Sequence, residues 1–265
     1  MTDPTPTDPA PMTRSDPLAW LGSGRGGAAA LAVAVVALGL SLAPYVTGGD
    51  FGSRVRAYLM ANPALLDEVV QAREQAEANN TVQKINAAVA ANPALMMADA
   101  RDPSFGPADA RVTVIEFFDY RCPGCKAVAG DYVRLMQAHP DVRFVFKDWP
   151  ILDRGDDTTS NYAARAALAA HQQGRYLQVH QALMAENGLT RAAVDRVLAE
   201  NGVSMPDAVA AIRSPEMNRH LADIHTTGAT LGLVGTPTFL INGKTTSSIA
   251  PADVLAAIEA AKAAT

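Results

Sequence analysis

The only two cysteines of this chain lie in one short motif, Cys122-Pro123-Gly124-Cys125, which follows a run of β-branched and aromatic residues. A bridge between them would close a very small ring, so it would add little stability by restricting the unfolded chain. At the start of a helix, however, this spacing puts both sulfur atoms on one face and within bonding reach. The pair therefore predicts a reversible redox site.

The segments on either side of the cysteines predict a strand, a helix and a second strand. Residues 112–118 form an apolar run typical of a central strand. Residues 123–138 have helical spacing, and residues 142–146 predict the next strand. Because a helix connects the two strands, we expect a right-handed crossover and parallel pairing.

The chain beyond this unit changes to helices and then returns to strand. An all-helical insertion is predicted over about residues 155–231. Its helices are expected at residues 160–184, 190–201 and 215–231. Residues 238–241 predict a strand that turns at Asn242-Gly243, a dipeptide typical of hairpins, and a weak returning strand is expected at 247–249.

The N-terminal region has a different composition. Residues 1–25 are rich in Pro, Asp and Thr, which predicts a disordered cytoplasmic tail. Residues 26–49 carry no charge and are long and apolar enough to predict a transmembrane anchor or uncleaved signal. Two alternatives stay open: a signal peptide cleaved after Ser41-Leu42-Ala43, and a soluble Ala-rich helix.

Residues 50–100 predict a helical arm, and residues 101–265 predict the functional domain. The arm carries a thin apolar stripe at helical spacing: Leu66, Val69, Val70, Ile85 and Val89. So little apolar surface cannot build a core by itself. The stripe therefore predicts either packing on the domain or oligomerisation of the arm.

Charge and ligand spacing exclude two classes of function. The net charge is −5 and the chain has no basic run, which argues against a nucleic-acid partner. A Cys-x-x-Cys is also half of a zinc site, but zinc needs four ligands. There is no second cysteine pair, and the five histidines lack ligand spacing, so no metal is expected.

The position of the two cysteines predicts different roles. Cys122 falls at the N-cap of the predicted helix, where unpaired N–H groups and the helix dipole favour a thiolate, and Pro123 fixes the first turn. Cys125 lies one turn further in, which suits the resolving cysteine. Glu116 in the preceding strand has two interpretations: a solvent-facing residue, or a buried carboxylate that relays protons for Cys125.

A second motif far downstream is Gly235-Thr236-Pro237. Proline directly before a strand is normally a turn or edge feature. Together with the redox motif, it predicts a cis Thr236-Pro237 bond beside the cysteines, since only bonds before proline make the cis form accessible. The backbone of Thr236 would then be free to pair with an extended substrate segment.

These two motifs, in this order around a helical insertion, resemble DsbA-type thiol:disulfide oxidoreductases with a thioredoxin fold. The resemblance covers about residues 105–263, and the arm is similar to that of the ScsC-like branch. It implies Cys122 as nucleophile, Cys125 as resolving cysteine, Glu116 as buried acid and Thr236-Pro237 as the cis-proline loop. DsbA itself has a histidine where this chain has Gly124, so we expect a less acidic Cys122 and a milder oxidant.

The expected fold class is therefore α/β: a thioredoxin-like fold with an all-helical insertion, preceded by a membrane anchor and a helical arm. The expected function is disulfide exchange with exported or unfolded thiol proteins, with the Cys122–Cys125 disulfide and no separate cofactor. A membrane redox partner and a homo-oligomer through residues 50–100 are also expected. The alternatives are an isomerase or reductase, and a copper-handling dithiol protein.

The expected location is the periplasmic side of a bacterial inner membrane, because the domain follows an export-like segment. Release into the periplasm after signal cleavage is the alternative. The direction of exchange stays open, since it depends on the relative stability of the dithiol and the disulfide.

Overall fold

A computed structural model describes residues 24–46, 49–97 and 99–264. The chain divides into two compact units, with the boundary between Arg73 and Glu74. The tail predicted over residues 1–25 lies outside the described residues, except for its last two positions, which belong to the first helix.

The first unit contains helices α1 (Gly24–Val46) and α2 (Gly49–Ala61) and the first turns of α3 (Ala64–Ala91). Over the part of the chain that the structure describes, no helix combines the length and the apolar character needed to cross a membrane. The anchor predicted over residues 26–49 is therefore not confirmed.

The second unit contains a sheet, the remainder of α3 and seven further helices within the described residues. A short 3-10 helix (Pro93–Met96) follows α3. The strands are β1 (Ser104–Phe105), β2 (Thr113–Phe118), β3 (Arg143–Asp148), β4 (Thr238–Ile241) and β5 (Lys244–Thr245). The helices are α4 (Pro123–Ala138), α5 (Thr159–Gln172), α6 (Tyr176–Ala185), α7 (Arg191–Glu200), α8 (Met205–Ile212), α9 (Pro215–Thr230) and α10 (Pro251–Ala263).

The sheet has the order β1-β3-β2-β4-β5. β2 and β3 are parallel, as the strand–helix–strand pattern predicts, and the other neighbouring pairs are antiparallel. The hairpin predicted at Asn242-Gly243 joins β4 to β5, and both turn residues have positive φ, as a tight hairpin requires. β2 lies in the middle, so the chain that leaves it is held by strands on both sides.

Alternate residues of β2 face two separate apolar clusters, because strand side chains alternate between faces. Val114 and Phe118 lie in the larger cluster, which contains the cysteines and which we call the redox face. Ile115 and Phe117 lie in the second cluster, which contains residues of α3 and α9 and which we call the opposite face. Glu116 shares its orientation with Val114 and Phe118.

The helical insertion is confirmed, but its helices differ from the predicted ones. The single helix expected over residues 160–184 is two helices, α5 and α6. The break occurs at Gly174, whose φ of 69° is incompatible with a continuing helix. An additional short helix, α8, precedes α9. The returning strand expected at residues 247–249 is wrong, because pairing with β4 uses Lys244 and Thr245 immediately after the tight turn.

The apolar stripe of the arm divides into two parts. Ile85 and Val89 are 4% and 7% exposed and belong to the cluster on the opposite face. Leu66, Val69 and Val70, in the first unit, remain 50%, 65% and 53% exposed. The end of α3 therefore packs on the domain, as one of the two alternatives predicts, and its beginning keeps an unpaired apolar surface.

Candidate redox site

Cys122 and Cys125 lie where the central strand passes into α4. β2 ends at Phe118, Cys122 is the N-cap of α4 with φ −71° and ψ 120°, and Pro123 is the first helical residue. Both cysteines are free thiols in this structure. Cys125 is completely buried, whereas Cys122 keeps a small exposed area.

The surroundings of Cys122 favour its thiolate. The Cys125 backbone N–H donates to Cys122 Sγ at 3.5 Å, which favours the thiolate, whereas the protonated Cys122 thiol can donate to the Thr236 carbonyl oxygen at 3.1 Å. Hydrogen bonding from the Cys125 thiol, helped by Thr236 and by the N–H groups at the start of the helix, lowers the pKa of Cys122 to about 5 against the opposing effect of burial. Cys122 thus has the acidity of an attacking thiol.

The surroundings of Cys125 have the opposite effect. Burial raises the pKa of Cys125 far above its usual range, and hydrogen bonding to Cys122 and the charge of Glu116 act in the same direction. At neutral pH, Cys125 is therefore a protonated thiol. The two cysteines of one motif differ in charge state because one faces the helix N-terminus and the other faces the core.

Gly124 allows the downstream loop to approach the motif closely. A Cβ atom at this position would lie 3.3 Å from Pro237 Cδ and 3.5 Å from Ile249 Cδ1. The Thr236-Pro237 peptide bond is cis and lies directly before β4, as predicted. The structure therefore brings Cys122, Gly124 and the Thr236-Pro237 loop together.

Glu116 is 2% exposed, which excludes the solvent-facing interpretation. Burial, followed by the charges of Asp148 and Cys122, raises the pKa of Glu116 to about 8. Its Oε2 atom has no hydrogen-bond partner among the described residues. A carboxyl group with a pKa of about 8 is mostly protonated at neutral pH, and a small rise in pH or a nearby base can remove its proton.

The sequence reasoning missed a second buried acid beside Glu116. Asp148 ends β3 on the redox face and is 1% exposed. Its Oδ2 accepts a hydrogen bond from the Tyr176 hydroxyl at 2.9 Å, but burial still raises the pKa of Asp148 well above its usual range. The Tyr120 hydroxyl lies 3.1 Å from His180 Nδ1 in the same polar group. An acidic residue at the end of β3, directly before Trp149, was the available signal.

The sequence reasoning also missed Asp119, which holds the motif in place. Its carboxylate accepts hydrogen bonds from the backbone N–H groups of Arg121, Ile151 and Leu152 and from the Ser160 hydroxyl, at 2.7 to 3.0 Å. These bonds join the turn before Cys122 to the loop after β3 and to α5. An acid immediately after a buried strand is a turn signal that could have indicated this role.

The rest of the described chain groups no three His, Cys, Asp or Glu side chains in a way that could hold a metal ion. His180 and His220 are buried in the protein core instead. The expectation that no metal or separate cofactor is needed stays a prediction.

Comparisons with known proteins agree with this geometry. The thioredoxin family model matches residues 98–260, which is more than half of the chain. A curated relative, a Na⁺/H⁺ antiporter of Salinispora arenicola, is 33% identical over 153 residues, which is 54% of this chain and 22% of the antiporter. The chain thus spans about a fifth of the length of the curated relatives it matches.

Solved structures share the fold. A thioredoxin-like oxidoreductase from Silicibacter pomeroyi is 35% identical, covers 63% of this chain and 95% of its own, and has a TM-score of 0.58. The catalytic domain of Proteus mirabilis ScsC is 21% identical, with 67% and 98% coverage and a TM-score of 0.59. The thiol-disulfide exchange protein α-DsbA2 from Wolbachia pipientis is 22% identical, with 72% and 98% coverage and a TM-score of 0.61.

At these lower identities, the ScsC and DsbA2 structures confirm the thioredoxin-like fold that the two motifs predict. The family model and the structure at 35% identity also show the family of this chain. This chain belongs to the thioredoxin family.

Proposed function

We propose that this protein exchanges disulfides with exported proteins through Cys122 and Cys125. The observation that carries the proposal is the unequal pair of thiols at the start of α4: the pKa of Cys122 is about 5, whereas burial raises that of Cys125 far above its usual range. Thiol–disulfide exchange needs such a pair, because one sulfur must react as a thiolate and the other must wait as a thiol.

The reaction begins from the disulfide form. A substrate thiolate attacks Cys122 Sγ, a mixed disulfide forms between the substrate and Cys122, and the Cys122–Cys125 bond breaks with its electron pair on Cys125. A second substrate thiolate then attacks the substrate sulfur of the mixed disulfide. The substrate leaves oxidised by two electrons, and the protein keeps the Cys122 thiolate and the Cys125 thiol.

Glu116 supplies the proton that this scheme requires. The Cys125 sulfur leaves as a thiolate in a site that disfavours negative charge, so a proton must reach it during the step. Glu116 is a buried acid whose pKa of about 8 keeps it protonated at neutral pH, and its charge affects Cys125. Water-mediated proton transfer from Glu116 to Cys125 satisfies this need, and the reverse transfer activates Cys125 for reoxidation.

The stabilised thiolate favours the oxidase direction. Interactions that lower the pKa of Cys122 exist in the dithiol form and are lost in the disulfide, so they stabilise the reduced protein and make the disulfide more oxidising. The reactive thiol of DsbA has a lower pKa, about 3.5. We therefore propose an oxidant that is milder than DsbA, with Pro123 and Gly124 setting the difference.

An isomerase or reductase is the second candidate, and the first half of α3 favours it. Leu66, Val69 and Val70 remain half-exposed or more on one helix. An arm that associates through these residues would bring several redox sites into one assembly, as an isomerase requires. Copper handling by the same dithiol stays a prediction, which competition for Cu(I) against a chelator would test.

The proposed location is the periplasmic side of a bacterial membrane, after export directed by the N-terminal segment. An oxidising dithiol pair is useful where disulfides form and persist, which favours an oxidising compartment over the reducing cytosol. Its partners would be exported or unfolded thiol proteins and a membrane redox partner that reoxidises Cys122–Cys125.

A redox titration against glutathione tests the proposal, with light scattering on the same sample. We expect an oxidising couple, complete loss of exchange in Cys122→Ser, and accumulation of a mixed disulfide with substrate in Cys125→Ser. Full exchange activity in Cys122→Ser would disprove the mechanism. A strongly reducing couple in an oligomer would replace the oxidase with the second candidate.

A further inference from the structure

A groove with a volume of about 550 Å³ opens in the second unit, beside the redox site. Its size falls within the range of ligand sites, about 300–1,000 Å³. Three segments line it: residues 234–239, residues 245–249, and the α3 residues Ala78, Thr81, Val82 and Ile85. We call it the α3 groove, because this helix supplies four of its lining residues.

The α3 groove lies next to the reactive sulfur. Thr236 lines the groove, and its carbonyl oxygen lies 3.1 Å from Cys122 Sγ. Pro237 and Ile249 also line it, and both lie within 3.5 Å of the Cβ position of Gly124. A polypeptide joined to Cys122 through a disulfide would therefore enter this groove with the residues next to its cysteine.

The lining of the α3 groove is uncharged. Every described residue that lines it is Ala, Gly, Ile, Phe, Pro, Ser, Thr or Val. The side-chain hydroxyls of Thr246 and Ser247 make no hydrogen bond within the described part of the chain, so they are available to backbone groups of an extended segment. A charged side chain would lose water in this groove without gaining a counter-charge.

The α3 wall is fixed to the domain. Ile85 and Val89 are buried, and the Thr245 backbone N–H donates to Asn86 Oδ1 at 2.9 Å. Ala78 and Val82 lie on the same helix face as Ile85 and are half-buried at the rim of the groove. The wall therefore has a constant position relative to Cys122.

We propose that the second half of α3 determines substrate choice by forming the wall of a groove for an extended, uncharged segment next to the reacting cysteine. This inference rests on the disulfide exchange proposed above and names its substrate class. The two halves of α3 thus differ: the first half keeps an exposed apolar surface, and the second half would contact the substrate.

A charge placed in the wall tests the proposal. Ala78→Asp puts a carboxylate into the groove, and Ala76→Asp adds the same residue on the exposed side of the same helix. The probes are three short unfolded peptides with one cysteine each, identical except for Thr, Lys or Asp beside it, together with a small dithiol that does not fill the groove. The measured quantity is kcat/KM for exchange.

The wild-type protein should prefer the Thr peptide over both charged peptides by about tenfold. Ala78→Asp should prefer the Lys peptide over the Asp peptide, which unfolding of the variant could not produce. Ala76→Asp should keep the wild-type order of peptides and the wild-type rate with the small dithiol.

Two results would overturn the inference while disulfide exchange stands. One is an unchanged order of peptides in Ala78→Asp. The other is a change in oligomeric state without a change in that order, which would make the groove a contact between copies of this chain. Absence of exchange with the small dithiol in the wild-type protein would instead remove the proposed function itself.

Discussion

The two faces of the sheet hold buried acids in different ways. On the opposite face, Asp102 is 2% exposed and forms an ion pair with buried Lys147. On the redox face, Glu116 and Asp148 are equally buried, but neither has an ion-pair partner among the described residues. Lys147 and Asp148 are neighbours in β3 and point to opposite faces, so one strand supplies both arrangements.

This difference separates a structural charge from a reactive one. Burial raises the pKa of Asp102, but the Lys147 ammonium opposes the effect, and the pair holds β3 to the segment before β1. Glu116 has no such compensation, so burial and neighbouring negative charge raise its pKa together. A buried acid without a counter-charge is unfavourable for folding and useful for proton transfer.

Removal of the counter-charge on the opposite face should have the largest effect. Lys147→Met leaves Asp102 buried without its cation, and we expect a loss of about 3–5 kcal/mol in the free energy of unfolding. Chemical denaturation measures it. The double variant Lys147→Met/Asp102→Leu should recover most of the loss, because no unpaired charge remains.

Arg196→Met is the matched control for this prediction, because Arg196 forms ion pairs with Glu186 and Glu200 at a 50% exposed position. Loss of an exposed pair should cost less than about 1 kcal/mol. Equal losses in the two single variants would show that burial does not distinguish the pairs.

Removal of the uncompensated acid should instead change how stability depends on pH. In the folded protein, Glu116 binds its proton up to a pKa of about 8, whereas the reference value is 4.5. Between pH 4.5 and about pH 8, the folded state therefore binds more protons at Glu116 than the unfolded state does. The stability that this proton contributes is fully present below pH 4.5 and decreases as the pH rises towards 8. At 1.4 kcal/mol per pH unit, the decrease due to Glu116 is about 2–3 kcal/mol from about pH 5 to about pH 7.

Glu116→Gln should therefore be less sensitive to pH over this range than the wild-type protein when both are unfolded in the reduced state. The exposed position Glu74 offers the control, since Glu74→Gln should keep the wild-type slope. A wild-type slope in Glu116→Gln would contradict the assignment of the buried proton. The variant should also slow the release of Cys125, which single-turnover exchange can follow.

The sequence predicts the redox motif well because its signals are local. A strand that runs into Cys122, a proline at the first helical position and a proline before β4 each restrict the backbone within a few residues. The burial of Glu116 was one of two open interpretations, since a single acid in an apolar strand does not show what covers it. The structure shows that Glu116 is buried, because apolar clusters cover both faces of β2.

Several features that the sequence did not predict depend on contacts between segments far apart in the chain. Asp148 meets the redox site because β3 pairs with β2 so that Glu116 lies opposite Phe146 and Phe118 opposite Asp148. Tyr176 reaches Asp148 because α5 ends at Gln172, before Gly174, and a new helix begins at Tyr176. Likewise, the α3 groove needs α3 and the Thr236-Pro237 loop side by side, although about 150 residues of chain separate them.

A change at the second acid should have a smaller effect. The charge of Asp148 raises the pKa of Glu116, so Asp148→Asn should lower the pKa of Glu116 by up to about one unit. An NMR titration of the carboxyl carbons measures the shift. Tyr176→Phe is the comparison, because it removes the hydrogen bond to Asp148 and keeps its carboxyl group. Identical titrations of Glu116 in Asp148→Asn and wild type would show that the two acids are not coupled.

The smallest expected effect comes from a donor placed beside Cys122. Gly124→His introduces a ring that can donate to the thiolate, so we expect the pKa of Cys122 to fall below about 5 by less than about one unit, with a more oxidising disulfide. Thiolate absorbance against pH and the equilibrium with glutathione measure the two changes, and one pKa unit corresponds to about 30 mV.

Gly124→Ala separates the charge of the new side chain from its contact. A Cβ atom at this position meets Pro237 Cδ at 3.3 Å, so both variants place the same Cβ atom against the loop and only histidine adds a ring. If Gly124→Ala lowers the pKa of Cys122 as much as Gly124→His does, the contact with Pro237 controls the thiolate. If only the histidine variant lowers the pKa of Cys122, a hydrogen-bond donor beside the sulfur controls the thiolate. Lys147 is such a donor beside Asp102 on the opposite face, and Gly124 provides no side-chain donor beside Cys122.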